Sequence, residues 1–296
     1  MQTDTSSVTG RHGTTIVYDV HRPAGDPVGV VVISHGIGEH GGRYRHVARA
    51  LADLDYLVVV PDHAGHGRSG GKRMRVDDFS DFIADLDTVI EAVGSVAVPR
   101  FLIGHSMGGA IALRYALDHA DRLDGLVLSG AALVPGKGLP PVLVKLAPFL
   151  GRVVPWMPST TLPSEAVSRD ADVVADYQTD PLVWHGRIGA GLGGQVIGAM
   201  ADFPKELPSL TMPTLVLHGG ADVLADPDGS VMVGDLAGAE DVTVTIYPGL
   251  FHEIFNEPER DAVIGEVTDW LVAHTADRGS EPGRLGVESG AVETGE

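Results

Sequence analysis

Short runs of apolar, mostly β-branched residues alternate along this chain with longer stretches whose apolar positions recur every three or four residues. The runs "TTIVYDV" from Thr14, "VGVVVIS" from Val28, "YLVVVP" from Tyr56, "RFLIG" from Arg100, "GLVLSG" from Gly125, "TLVLHGG" from Thr214 and "VTVTIY" from Val242 read as strands. Several are apolar on both faces, as in strands buried between two helix layers of a parallel sheet. Helical patterns occupy 44–54, 78–93, 108–119 and 257–274. Strand and helix in alternation predict a doubly wound α/β sheet with right-handed crossovers. In such a sheet, function belongs at the carboxyl ends of the strands.

One region breaks the rhythm. Across 135–208 no strand pattern occurs, and "GKGLPPVLVKLAPFLGRVVPWMPSTTLP" is rich in Pro, Leu and Val. A stretch of that length is too long for a plain loop, so it is expected to be a helical insertion that caps the functional edge of the sheet. Residues 1–134 and 209–275 then form two parts of one core, and the Gly- and Glu-rich segment 276–296 is expected to be disordered.

Composition narrows the chemistry. The 296 residues suit one large domain, and the absence of cysteine excludes disulfides, a thiolate nucleophile and a cysteine-based zinc site. A net charge of −19 argues against nucleic-acid partners and against lasting adsorption to anionic lipid. The opening "MQTDTSSVTG" has neither the basic start nor the apolar run of a signal peptide, and no apolar segment is long enough to span a bilayer, so a cytoplasmic location is expected.

The pattern Gly-x-Ser-x-Gly occurs twice, around Ser106 in "GHSMGG" and around Ser69 in "GRSGG". Ser106 directly follows the strand "FLIG" and directly precedes the helix-forming "AIALRYALDHA". A sharp strand-to-helix turn lifts a serine hydroxyl above the sheet edge, and glycines on both sides remove clashes between strand and helix. Ser69 lies in a Gly-rich loop followed by charged residues and reads as a structural serine. Ser106 is the candidate nucleophile.

A serine hydroxyl reacts only when a base takes its proton, and that base needs an orienting acid. On this type of sheet the chain order is serine, acid, histidine. Asp222 stands just past the strand in "TLVLHGGADVLAD", better placed than Asp226, which precedes Pro227 and reads as a helix start. His252, in "YPGLFHEIFNEP", occupies the loop between the last strand and the last helix and is the candidate base. His218 reads as a packed or hydrogen-bonded residue. His105 reads as structural and, by strand alternation, as pointing away from the site. Two backbone N–H groups are needed for the oxyanion: Met107, after the nucleophile, and Ile37, in the loop opened by His-Gly in "VVVISHGIGEHGGRY".

Taken together, "HGIGEHGGRY", "PDHAGHGRSGG", "GHSMGGAIAL", "LHGGAD" and "FHEIFNEP" resemble the monoacylglycerol lipase group of α/β-hydrolases over roughly 14–274. The resemblance implies the α/β-hydrolase fold with a helical cap after the sixth strand, a triad of Ser106, Asp222 and His252, and an oxyanion hole at Ile37 and Met107. It also implies that Glu39 and Arg43 stand near the glycerol end of the pocket, although the same pair reads equally well as an i,i+4 ion pair at a helix start. One position departs from the group. Three residues past the histidine, where some animal members carry another histidine, stands Phe255.

The expected activity is therefore hydrolysis of monoacylglycerols or similar neutral esters, with no metal or cofactor. The apolar cap residues, Phe149, Trp156 and Met157 among them, are expected to line an acyl tunnel or face a lipid aggregate or membrane surface. The competing readings are a lysophospholipase, a general esterase, an aminopeptidase-like enzyme with Glu165, Asp170, Asp172 and Asp176 receiving an amine, and a catalytically silent binding module.

Overall fold

The computed structural model describes residues 2–94, 97–136 and 140–278. The segment predicted as a disordered tail lies outside them except for 276–278, which close the last helix. Eight strands form one sheet: β1 (Gln2–Thr9), β2 (Thr15–Arg22), β3 (Gly29–Ser34), β4 (Tyr56–Pro61), β5 (Arg100–His105), β6 (Gly125–Ser129), β7 (Thr214–Gly219) and β8 (Val242–Tyr247). Their order is β1-β2-β4-β3-β5-β6-β7-β8. β2 is antiparallel to both β1 and β4, and the remaining pairs are parallel. β1 is the strand the apolar pattern does not reveal, and it makes Gly125–Ser129 the sixth.

Alternation along the central strands divides the core into two layers. Val30, Val32, Leu102, Leu126 and Val216 face α2 (Phe79–Ala92), α3 (Met107–Asp118) and α7 (Asp228–Leu236). Val31, Ile33, Phe101, Ile103, Val127 and Leu217 face α1 (Arg45–Ala52) and α8 (Arg260–Arg278). Both faces of β3, β4 and β5 are thus dry, which explains their unbroken apolar runs. The strand order reverses at β3, so the loops after β3 and β5 diverge into a crevice at the carboxyl edge.

Between β6 and β7 the chain forms α4 (Pro141–Val153), α5 (Ala171–Thr179) and α6 (Ala190–Glu206). α4 and α6 cross closely. A methyl group added at Gly151 would stand 2.7 Å from the Ala190 carbonyl, and one at Gly194 would overlap the Ala147 carbonyl. Among the described residues, no helix is long and apolar enough to cross a membrane.

Candidate active site

Ser106 joins β5 to α3 with φ 54° and ψ −122°, a positive φ rare for a side-chain-bearing residue. Such strain costs about 1–3 kcal/mol and persists only where neighbours over-determine it. Here Ser106 N donates to Ser129 O (3.1 Å), while Gly109 N and Ala132 N donate to Ser106 O (2.9 and 3.0 Å). The flanking glycines are steric requirements: a Cβ at Gly104 would lie 2.5 Å from Ala112 Cβ, and one at Gly108 would overlap the Ser34 and His35 carbonyls. Ser69, in contrast, accepts from Val17 N (2.8 Å) and donates to Asp62 O (2.6 Å), tying β2 to the loop after β4.

The acid loop follows β7. Asp222 is buried and its carboxylate is fully engaged: Oδ1 accepts from Leu224 N (2.7 Å) and Ala225 N (3.0 Å), and Oδ2 receives His252 Nδ1 (2.7 Å) and His218 Nε2 (3.1 Å). Burial alone would raise its pKa, yet the charge of His252 and these hydrogen bonds hold it well below the usual carboxylate range. For His252 the balance is reversed. Burial pulls the imidazole down, but the charge and hydrogen bond of Asp222 outweigh it and leave the pKa above the ordinary 6.5. Asp226 instead accepts from Asp228 N (3.1 Å) at the start of α7.

His218 is hydrogen-bonded, as its strand-end position implied. His105 departs from the alternation argument. Its ring centroid lies 4.7 Å from that of His252, and it borders the same cavity as Ser106. The sharp turn at Ser106 ends the strand geometry on which that argument depended. Burial, then the charge of His252, pushes His105 down to about 4, so it stands beside His252 as a neutral ring.

Ser106 and His252 border two cavities. The smaller, about 20 Å³, has mixed walls, with Glu39, Tyr177 and Glu253 facing Ile37, Leu162, Val167 and Leu224; the larger, about 540 Å³, is walled by Leu143, Leu150, Leu162, Ile188, Val196 and Met200. Ile37 and Met107 reach the larger cavity beside Ser106. Met107 opens α3, where first-turn amides have no helical acceptor. The Ile37 loop is locked by neighbours: His35 Nδ1 donates to Gly36 O (2.7 Å), His35 Nε2 accepts from His63 N (2.9 Å), and Gly36 N donates to Glu39 Oε1 (2.6 Å).

Glu39 and Arg43 do form the i,i+4 ion pair (2.9 Å), but within a larger buried network. Glu39 Oε1 also accepts from Tyr44 (2.7 Å), Arg43 donates two bonds to Glu253 (2.5 and 2.7 Å), and its guanidinium lies 4.8 Å from the Tyr177 ring. Glu253 and Tyr177 are residues that sequence reasoning missed. Adjacency to His252 could have flagged Glu253, whereas no spacing signal points to Tyr177, which reaches the site from α5. Phe255 packs in the apolar layer against α8.

The apolar residues beyond β6 divide between two environments. Met157 borders the large cavity, while Phe149 and Trp156 point outward, 63% and 72% exposed.

The family model described as "Serine aminopeptidase, S33" matches residues 25–259. A monoacylglycerol lipase of Mycolicibacterium smegmatis is 45% identical over 270 residues, covering 90% of this chain and 96% of that protein. The chain belongs to the monoacylglycerol lipase group of this α/β-hydrolase family. The human monoglyceride lipase is 38% identical, with 88% of this chain and 87% of that protein covered. The crystal structure of the Paleococcus ferrophilus monoacylglycerol lipase superposes with a TM-score of 0.79 at 35% identity, covering 86% of this chain and 98% of that one.

Proposed function

We propose that this protein is a serine-dependent carboxylic-ester hydrolase that cleaves monoacylglycerols to fatty acid and glycerol. The observation that carries the reading is the placement of Ser106 and the Asp222-paired His252 on the wall of a large apolar cavity, with the carboxylates of Glu39 and Glu253 beside them. The cavity suits a single acyl chain, and Glu39 and Glu253 place hydrogen-bond acceptors beside the point where the alcohol leaves. In this reading Ser106 attacks the ester carbonyl while His252 Nε2 takes its proton. The Ile37 and Met107 amides receive the oxyanion. His252 then protonates the departing alkoxide, and water activated by His252 releases the acyl group. Asp222 holds the imidazole and stabilises its charged form.

The family description names an aminopeptidase, and the acids that could receive an amine bear on that alternative. Glu165 borders an outer groove, Asp176 borders another, and Asp170 caps α5 through Asp172 N (3.0 Å). Their outward placement favours esters. The region 135–208 serves as the cap in this proposal, over a core of 1–134 and 209–275. On α4, Val142, Leu146, Phe149 and Val153 form an exposed stripe at helical spacing, with Lys145 and Arg152 as the helix's only charges. Between Asp124 and Glu165 the sequence has no acidic residue, despite a net charge of −19. This stripe is the surface proposed to rest transiently on aggregates of the neutral lipid substrate.

The test is a comparison of hydrolysis rates for mono-, di- and triacylglycerols, short p-nitrophenyl esters, lysophospholipids and aminoacyl amides. Preference for monoacylglycerols is expected. Preference for the amides would refute the lipase reading while leaving the triad in place.

A further inference from the structure

Asp222 carries two imidazoles, and the proposed mechanism uses only one. His218 is fully buried at the end of β7, and its Nε2 lies 3.1 Å from Asp222 Oδ2 and 3.3 Å from the Ala225 carbonyl. Both neighbours are acceptors, since Asp222 is held ionised and a carbonyl has no proton to give. Nε2 must therefore carry the hydrogen. On the other side of the ring, Nδ1 lies 2.6 Å from Ser230 Oγ, itself fully buried in α7. The hydroxyl anchors that side of the ring, so the Nε2 proton stays directed at Asp222.

We propose that His218 is a positioning residue for the triad, with Ser230 holding its ring so that its Nε2–H pins the Asp222 oxygen that also binds His252. This rests on the reading of Ser106, His252 and Asp222 as the triad. Geometry explains why the second imidazole matters. The two backbone amides fix Oδ1, but Oδ2 would otherwise be held only by His252, the group whose charge changes during turnover. A second donor on Oδ2 keeps the carboxylate plane fixed while His252 gains and loses its proton. It also withdraws negative charge from Oδ2, tempering the basicity that Asp222 imposes on His252. The other groups that act on the base are Glu253 and Glu39, with neutral His105 against its ring, and none of them contacts Oδ2.

The experiment compares wild type, His218→Leu, His218→Gln and Ser230→Ala for kcat, KM and the pH profile of kcat/KM on a monoacylglycerol. Thermal melts of each variant report the folded fraction. In His218→Leu, kcat is expected to fall roughly ten- to a hundredfold, the scale of losing a hydrogen bond to a charged group. KM should change little, because no substrate contact is lost. The acidic limb should move to higher pH, because the untempered carboxylate holds the His252 proton more tightly. His218→Gln, whose amide can donate from the same position, should recover most of both effects, and Ser230→Ala should fall between wild type and His218→Leu. The proposal is overturned if folded His218→Leu keeps the wild-type kcat and limb, or if its loss tracks only the unfolded fraction and Gln gives no rescue. Should His218→Leu fail to fold, Ser230→Ala decides, and an unchanged kcat and limb in that variant overturns the proposal. Ser106→Ala is the separate control. If it abolishes turnover while the His218 variants behave as wild type, only the positioning role is lost.

Discussion

Replacing Asp222 by Asn changes a single atom in the proposed triad, and the structure dictates how the site must respond. The carboxylate accepts four donors, two fixed backbone amides on Oδ1 and two imidazoles on Oδ2. The new NH2 cannot sit at the Oδ1 position, where it would confront two amide hydrogens and leave buried donors unpaired at about 1–3 kcal/mol each. It must take the Oδ2 position, where the imidazoles can adapt by changing tautomer. His252 then presents a lone pair to the new NH2 and an N–H to Ser106, so the nucleophile faces a donor where it needs a base. The charge that stabilised the imidazolium is lost as well. The expected fall in kcat is roughly ten-thousandfold, or about 5 kcal/mol of activation free energy. The assay is turnover of a monoacylglycerol together with the rate of Ser106 phosphonylation by a fluorophosphonate, which releases fluoride, with a melting curve to confirm folding. Asp226→Asn is the matched control, and retention of activity there is expected. Turnover in Asp222→Asn within tenfold of wild type, or a larger loss in Asp226→Asn, would refute the reasoning.

Three further outcomes follow from the same geometry. The pKa of His252 is raised above the ordinary 6.5, chiefly because Asp222 overcomes the effect of burial, and the base must be neutral to act. The acidic limb of kcat/KM is therefore expected above pH 6.5, and a limb near pH 5 would contradict the pairing. Burial, opposed by the Arg11 amide and aided by Asp81, pushes Asp85 up to about 6 from 3.8. The folded state then holds this proton more tightly than the unfolded one, so stability falls as pH rises from about 4 through about 6. Asp85→Asn, whose carbonyl oxygen can still accept from Arg11 N, should raise stability near pH 7.5 by on the order of 1 kcal/mol and flatten the melting temperature between pH 4 and 7; no gain would count against a desolvated carboxylate there. Finally, Phe149→Ser with Trp156→Ser should weaken adsorption to neutral lipid emulsions while leaving turnover of a soluble short-chain ester unchanged, as measured by flotation and by kcat/KM. Equal adsorption in that variant would remove α4 as the contact surface.

Much of this architecture is legible in the sequence because its central strands are buried on both faces. Continuous runs such as Val30–Ile33 and Val58–Val60 have one physical explanation in a chain of alternating strands and helices. β1 escapes because it is an edge strand whose other side faces water. "QTDTSSVT" needs hydrogen bonds from β2 but little apolar burial, and even Val8 is only half-buried. Ser106, Asp222 and His252 are legible as candidates because each follows a strand in the order serine, acid, histidine, and because only glycine fits beside the turn at 104 and 108. The Glu39–Arg43 pair is legible as spacing, but its extension to Glu253 and Tyr177 joins segments far apart in the chain. His105 misleads because a periodicity argument fails where the backbone turns. His218 is recognisable as a bonded histidine, but its contact with Asp222 emerges only when the turn after β7 folds back on that strand.

The most direct test is to treat the folded protein with a fluorophosphonate, digest it and identify the modified residue by mass spectrometry. Stoichiometric labelling of Ser106, lost in Ser106→Ala and strongly slowed when His252 is replaced by Ala, is the predicted result. Labelling at Ser69, or folded protein that takes up no probe at all, would contradict the catalytic account.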